Sequence, residues 1–295
     1  MTTAVLFLAR GSGKDAGAAA AEAFFSAYRA HPAGLDHELV VLVKGWEDVA
    51  DRESVEAQAR ALGATVMALP DDGYDWGAYM RAAPRLGHDW LCLLNTHSRP
   101  CADGWLATLR AAAERPGVGA AGVTGSWGTN LPVFRLLAPE VADYWRRKGA
   151  VKALIAAFRL YIRRYPWRSL TGARRFPGFP NPHLRSNGVL VRRALFTAFI
   201  AGRPIPADKQ DALMLECGRA GFTRFLESRG LRVVVAGADG RAYEPEQWPD
   251  SRTHAVPERS NLLVSDNRTR GYERAGPFSR RNIERENWGQ SFTPI

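Results

Sequence analysis

Apolar positions in the first 125 residues gather into short solid runs, and each run gives way to a segment of helical period. Residues 4–9, 38–43, 65–69, 90–94 and 118–124 read as strands, and residues 16–29, 55–62, 75–86 and 103–114 as the helices between and after them. The run at 90–94 is almost wholly apolar, the pattern of a strand buried on both faces of a parallel sheet. Strand and helix alternate at short spacing, which predicts an α/β fold with a mostly parallel central sheet covered by helices.

The period changes after Pro132. Residues 139–164 read as one or two basic helices, ended by Pro166-Trp167-Arg168. Residues 172–182, rich in Gly, Pro and Phe, read as an extended loop. A strand at 188–191, helices at 192–199, 209–219 and 222–229, and a strand at 231–236 follow. Beyond Gly240 the chain is polar, aromatic and without period, an irregular extension expected to wrap the domain or cover a site. No internal repeat and no linker divides the chain. The expected organisation is one unit over 1–240, with a helical insertion at 139–168, and a C-terminal wrapping extension at 241–295.

A chain of 295 residues is long enough for one large domain or a domain and a half. Its formal charge of +10, from 40 basic and 30 acidic residues, suits phosphate-rich partners; an arginine-rich, solvated surface is the plain alternative. No stretch reaches about 18 uncharged apolar residues, so no membrane span is expected, and the N-terminus lacks the pattern of a secretory leader. Cys92, Cys101 and Cys217 have no CxxC spacing, which fits a reducing, cytoplasmic setting better than a disulfide framework. Trp145, and Tyr161 and Trp167 among the basic residues of 146–168, are compatible with peripheral seating at the inner face of an anionic membrane. An amphipathic helix covering the sheet is the other reading of that segment.

Against this basic background, carboxylates cluster where a strand ends. Asp71-Asp72-Gly73-Tyr74-Asp75-Trp76-Gly77 follows the run at 65–69, and open α/β sheets bind ligands at the carboxyl ends of their strands. Asp71, Asp72 and Asp75 are candidates to accept from a uracil or thymine NH, bind ribose hydroxyls or help hold a metal; a turn followed by an N-cap is the structural alternative. Asn95-Thr96-His97-Ser98-Arg99 closes the next strand. Asn95 and His97 are candidate ligands for Mg²⁺ or Mn²⁺, although hard ions prefer oxygen. Arg99 suits a diphosphate clamp. A hydrogen-bonded structural histidine is the alternative for His97. His183, Arg185 and Asn187 form a polar string before the strand at 188–191, suited to an acceptor or phosphate or to a loop held by side-chain hydrogen bonds; Arg268 and Arg270 in Ser265–Arg270 would reach one side and suit a phosphate if that stretch is extended, surface turn residues being the alternative. Asp211 and Glu216, five apart on a predicted helix and so poorly aligned on one face, are candidate general bases; surface charge or capping is the alternative for each. Gly11-Ser12-Gly13-Lys14 fails the phosphate-loop pattern, because Lys14 is followed by Asp15.

Four segments together carry a family resemblance: DDGYDWGAY at 71–79, LLNTHSRP at 93–100, PHLRSNGVLVRR at 182–193 and NLLVSDNRTRGY at 261–272. AGVTGSWG at 121–128 and DKQDALMLECGR at 208–219 add weaker support. In this order the chain resembles bacterial glycosyltransferase-like proteins of the GT-A type, including a group associated with rhamnose-rich polysaccharide synthesis. The resemblance implies a GT-A-like sheet and a nucleotide-diphosphate-sugar donor. It also implies a divalent ion, and a saccharide or lipid-linked acceptor in cell-envelope or surface polysaccharide synthesis. It maps the metal motif onto Asn95, Thr96 and His97, where the usual acidic pair is missing. It places the donor contact near Asp75 and the base of a direct, inverting displacement near Asp211 and Glu216. A catalytically weak nucleotide- or glycan-binding accessory module is the rival reading, favoured by the missing pair. No nucleic-acid recognition motif is present, and no nucleic-acid partner is expected.

Overall fold

The computed structural model describes residues 1–13, 16–131, 142, 145–146, 148–157 and 174–294. Its first half runs β1 (Thr3–Arg10), α1 (Ala18–Ala30), β2 (Glu38–Lys44), α2 (Val49–Ala61), β3 (Thr65–Ala68), α3 (Tyr74–Ala82), β4 (Trp90–Leu94), β5 (Arg99–Pro100), α4 (Trp105–Ala113), β6 (Val118–Gly122) and β7 (Gly125–Ser126). The second half adds α5 (Ala150–Ala157), β8 (His183–Leu184), β9 (Val189–Arg192), α6 (Arg193–Ile200), α7 (Lys209–Cys217), α8 (Phe222–Glu227), β10 (Arg232–Ala236), β11 (Ala242–Tyr243), β12 (Val264–Ser265), α9 (Asn267–Arg274) and α10 (Pro277–Trp288).

Eight strands form the main sheet in the order β11-β10-β6-β9-β4-β1-β2-β3. The block β3-β2-β1-β4 is parallel throughout, as is the pair β6-β10. The α/β architecture with a mostly parallel, helix-covered sheet and a C-terminal extension is therefore the one expected. Alternate residues of the central strands feed two cores. Leu6, Leu8, Val40, Leu42, Leu91 and Leu93 face one layer, with Trp76 and Tyr79 of α3 and Phe196 and Phe199 of α6. Val5, Phe7, Val41, Cys92 and Leu94 face the other, with Phe24 and Phe25 of α1 and Trp105 and Leu109 of α4. The rings of Phe7 and Phe24 stack with centroids 3.6 Å apart. Burial on both faces explains why these strands read as solid apolar runs.

Periodicity did not foretell that β9 lies between β4 and β6 and is antiparallel to both. An antiparallel strand begins where its neighbours end. The loop entering β9, Arg185 to Gly188, is therefore delivered to the carboxyl ends of β4 and β6. Gly188 makes this turn possible: its φ is +68°, and a Cβ there would sit 2.4 Å from a methyl of Val123. Its N–H donates to the Leu93 carbonyl at 2.8 Å, and its own carbonyl accepts from Val123 at 2.9 Å.

Three expectations change. The second helix begins at Val49 rather than 55, because Asp48 caps it by accepting the Asp51 N–H at 3.0 Å; its buried apolar residues are Val55 and Ala59, so the apolar period starts late. The C-terminal extension is not irregular. β11 joins the sheet edge, β12 pairs with β5, and α9 and α10 follow. Arg268 consequently lies on a helix and not on an extended stretch. α9 (NRTRGYER) has little apolar content to betray it. It is held by a capping box in which Asp266 accepts from the Thr269 N–H at 2.8 Å, and by Tyr272 donating to the buried Glu284 of α10. Of the helical insertion expected at 139–168, positions 142, 145, 146 and 148–157 are described; the rest, with residues 172 and 173 of the expected loop, lie outside the described residues.

Candidate functional site

The carboxyl ends of β1, β2 and β4 converge on one polar region, and a single lysine organises its floor. Lys44 is the last residue of β2, its side chain fully buried. Its Nζ donates to the backbone carbonyls of Asp72 at 2.6 Å and Tyr74 at 2.7 Å. The loop thus held passes through left-handed backbone at Gly73 (φ 67°) and Tyr74 (φ 54°), a costly conformation for tyrosine that a fixed partner must sustain. Burial lowers the Lys44 pKa, Arg10 lowers it further, and Asp71, Asp75 and Asp72 oppose them.

The three aspartates of the loop part company here. Asp71 is exposed and accepts from Arg10 Nε at 3.2 Å and Ser12 Oγ at 3.3 Å. Asp72 is exposed and paired with Arg81, whose Nε donates at 3.0 Å; that bond holds its carboxyl below the usual range. Asp75 is half-buried in the first turn of α3. It is not the helix cap, since the N-cap is Gly73 with no side-chain capping bond. Burial, and then the neighbouring Glu216 carboxylate, hold the Asp75 carboxyl above its ordinary value, while Lys44 and His97 pull it back.

The two candidate bases separate in the same way. Asp211 belongs to the start of α7: its N–H donates to the Asp208 carboxylate at 2.8 Å, and its own Oδ2 accepts from the Ala207 N–H at 3.1 Å. Both carboxylates serve capping. Glu216, in the last turn of α7, is half-buried and accepts the Ser186 N–H at 3.2 Å, on the loop that β9 delivers. Burial raises its pKa, with Arg185 and Ser186 opposing. Two carboxylates with raised pKa values near one another, beside a lysine and a histidine, form the kind of environment in which acid–base groups are tuned.

Asn95 and Asn187 shape the end of β4. Asn95 Oδ1 accepts from the His97 N–H at 2.9 Å and from Ser98 Oγ at 3.4 Å, while its own N–H donates to Asn187 Oδ1 at 3.3 Å. Both asparagines are buried. They build the turn that carries His97, which is half-buried. The Asn95 side-chain oxygen is thus turned into its own loop. Among the described residues no three His, Cys, Asp or Glu side chains come together as a metal-holding group. This donor set does not suit a hard divalent ion, which needs several oxygen ligands.

Arg99 is exposed and lines a hollow of about 370 Å³ with Thr96, His97, Arg270 and Arg274. Asp75 does not line that hollow, whereas His97 does and its charge acts on Asp75. Arg268 is exposed and does not line it either, and Arg270 takes the position on α9 that faces it. His183 is buried in β8, with its Nδ1 2.8 Å from the Asn181 carbonyl. Burial pushes its pKa down to about 4, which favours the neutral ring at pH 7. Arg185 is half-buried and donates to the buried Asp266 carboxylate at 3.1 Å. Burial opposes the ionisation of Asp266, but Arg185 and the Thr269 N–H hold it down at about 2. Sequence reasoning missed Lys44, Arg10 and Arg274; it named Arg270, beside Arg268, as able to meet a phosphate. Lys44 did leave a signal, as the one charge closing the buried run Leu39 to Val43.

No protein-family model matches the chain, and no curated protein sequence matches it. Among solved structures, it is similar to a mannosyltransferase from Pyrobaculum calidifontis in complex with GDP-Man and Mn²⁺, at 14% identity and a TM-score of 0.44, covering 85% of this chain and 59% of that one. It is also similar to glucosyl-3-phosphoglycerate synthase from Mycobacterium tuberculosis in complex with Mn²⁺, UDP and glucosyl-3-phosphoglycerate, at 16% identity and a TM-score of 0.36, covering 66% of this chain and 57% of that one. The chain thus spans less than two thirds of the length of these structures. At this level of similarity the functional reading rests on the site's own geometry.

The buried histidines make acid stability a test of the loop that enters β9. His183 binds its proton more weakly folded (about 4) than at its ordinary 6.5, so the unfolded chain holds more protons between those values. Stability from this residue is present above pH 6.5 and is lost as pH falls toward 4, by up to about 3 kcal/mol. His254 is also buried and shifted well down, so part of the slope will remain without His183. Urea unfolding of His183→Asn at pH 7, 5.5 and 4.5 should show a flatter dependence than the parent protein; an unchanged slope would contradict the assignment.

Proposed function

We propose that the chain is a GT-A-like glycosyltransferase that moves a sugar from a nucleotide-diphosphate sugar to a hydroxyl of a saccharide or lipid-linked acceptor. The observation that supports this reading most is that Asp75 lies within the electrostatic reach of Glu216, Lys44 and His97 where neighbouring parallel strands end, the place where open α/β sheets take ligands. In this reading the loop from Asp71 to Asp75 faces the donor. Glu216, poised by burial to hold and release a proton, takes the proton from the attacking acceptor hydroxyl. Arg99 faces the departing diphosphate. One base acting opposite the leaving group gives inversion at the anomeric carbon. Asp211, already committed to capping, is the less suitable base.

The envelope-polysaccharide setting follows from the family resemblance. Contact with a membrane carrying a lipid-linked acceptor has one observation in its favour: Trp145, Val151, Leu154 and Ile155 are exposed beside Arg146, Lys148 and Lys152. No helix among the described residues is long and apolar enough to cross a membrane. Replacing Arg146, Lys148 and Lys152 together by alanine should reduce cosedimentation with anionic vesicles, while unchanged cosedimentation would remove the membrane contact from the proposal.

Transfer or donor hydrolysis should fall about 10²–10⁴-fold in Glu216→Gln and change only a few-fold in Asp211→Asn. The activity of the parent protein should rise with pH through an apparent pKa above the ordinary carboxylate range, because the base must be ionised and burial raises it. Activity kept by Glu216→Gln and lost by Asp211→Asn would reverse the assignment. Saturable binding of UDP or dTDP without turnover of any donor would instead favour an accessory nucleotide-binding module, the reading to which the missing acidic pair at Asn95–His97 lends support.

A further inference from the structure

The hollow beside His97 carries more positive charge than its partners neutralise. β12 pairs with β5, Ser265 opposite Arg99, and this seats the start of α9 against the turn that ends β4. Arg270 is pinned there, donating to Ser265 Oγ at 3.0 Å and to the His97 carbonyl at 3.1 Å. Arg99 and Arg274 line the same hollow, are exposed, and make no ion pair among the described residues. Among the described residues the hollow's one carboxylate, Glu273, is already paired with Arg259. A volume of about 370 Å³ falls in the range of small-ligand sites, roughly 300–1,000 Å³.

We propose that this arginine hollow binds the diphosphate of the nucleotide donor and neutralises its charge without a divalent ion, Arg99, Arg270 and Arg274 standing in for the metal that the turn at Asn95–His97 cannot hold. The inference rests on the sugar-transfer reading and narrows it. Guanidinium groups carry fixed charge and donate in pairs to phosphate oxygens, so a cluster of them meets two adjoining phosphates without coordination chemistry. Burial lowers the Arg270 pKa, and the positive fields of Arg99, Arg274 and Arg259 lower it further against Asp266. That mutual repulsion is what a bound dianion relieves. The position of the hollow suits this role. His97 lines the hollow and its charge reaches Asp75, so in this proposal a diphosphate in the hollow directs its sugar toward Asp75.

Isothermal titration of the full chain with UDP, dTDP and GDP, in EDTA and in Mn²⁺, tests this. One nucleotide should bind in EDTA, with an affinity that Mn²⁺ changes by less than about threefold. Arg99→Ala and Arg274→Ala, both exposed positions, should each weaken it about tenfold, with thermal midpoints kept and partial recovery in the lysine variants. The affinity should fall with added salt. Binding seen only with Mn²⁺, or unmoved in both alanine variants, would overturn the arginine clamp and leave the sugar-transfer reading standing. No binding of any nucleotide in either condition would overturn both.

Discussion

The polar end of this sheet depends on one buried ammonium group. Lys44 ends a strand whose preceding five residues are all buried, and its charge is tolerated because two backbone carbonyls, of Asp72 and Tyr74, accept from it. Those two bonds fix a loop that would otherwise avoid its own geometry, with a tyrosine at φ 54°. A loop so fixed starts α3 at Tyr74 and sets Asp75 in its first turn, within the electrostatic reach of Glu216. The aspartates on either side of Gly73 thus receive different fates from one constraint: Asp71 and Asp72 remain at the surface with arginine partners, and Asp75 is turned inward.

The second constraint is topological. Because β9 runs against β4 and β6, it starts at the end of the sheet where the parallel strands finish. Ser186 can then donate to Glu216, and Asn187 can accept from the backbone of Asn95. The C-terminal extension contributes from the other side through the β12–β5 pair and Arg270. Three stretches of sequence far apart in the chain are joined at one turn, Asn95 to Arg99, and that turn lines the arginine hollow through Thr96, His97 and Arg99.

Much of the sheet was legible in the sequence because its central strands are buried on both faces, which leaves solid apolar runs at 4–9, 38–43 and 90–94. The antiparallel seat of β9 was not legible, since a four-residue strand carries no mark of direction. α9 escaped notice because its stability comes from Asp266, Thr269 and Glu284 rather than from an apolar stripe. For the site, the clustering of Asp71, Asp72, Asp75, Asn95, His97 and Arg99 at strand ends could be read from position alone. What distinguished Glu216 from Asp211, or Arg270 from Arg268, was the direction each helix turns its residues, and local spacing does not contain that. His183 looked like a phosphate ligand because its neighbours are polar; its burial follows from the β7–β8 pair, whose partner lies more than fifty residues earlier.

A nucleotide-sugar seated at the end of the sheet organised by Lys44 is the proposal from which the others follow. Crystallography on the full chain with a bound, non-transferable UDP-sugar or dTDP-sugar analogue would locate that ligand directly. Its diphosphate should lie against Arg99 and Arg270, and its sugar between His97, Asp75 and Glu216. Density for the nucleotide elsewhere, such as the separate hollow lined by Asp239, Tyr243 and Asn261 at the opposite edge strand, would refute the proposal.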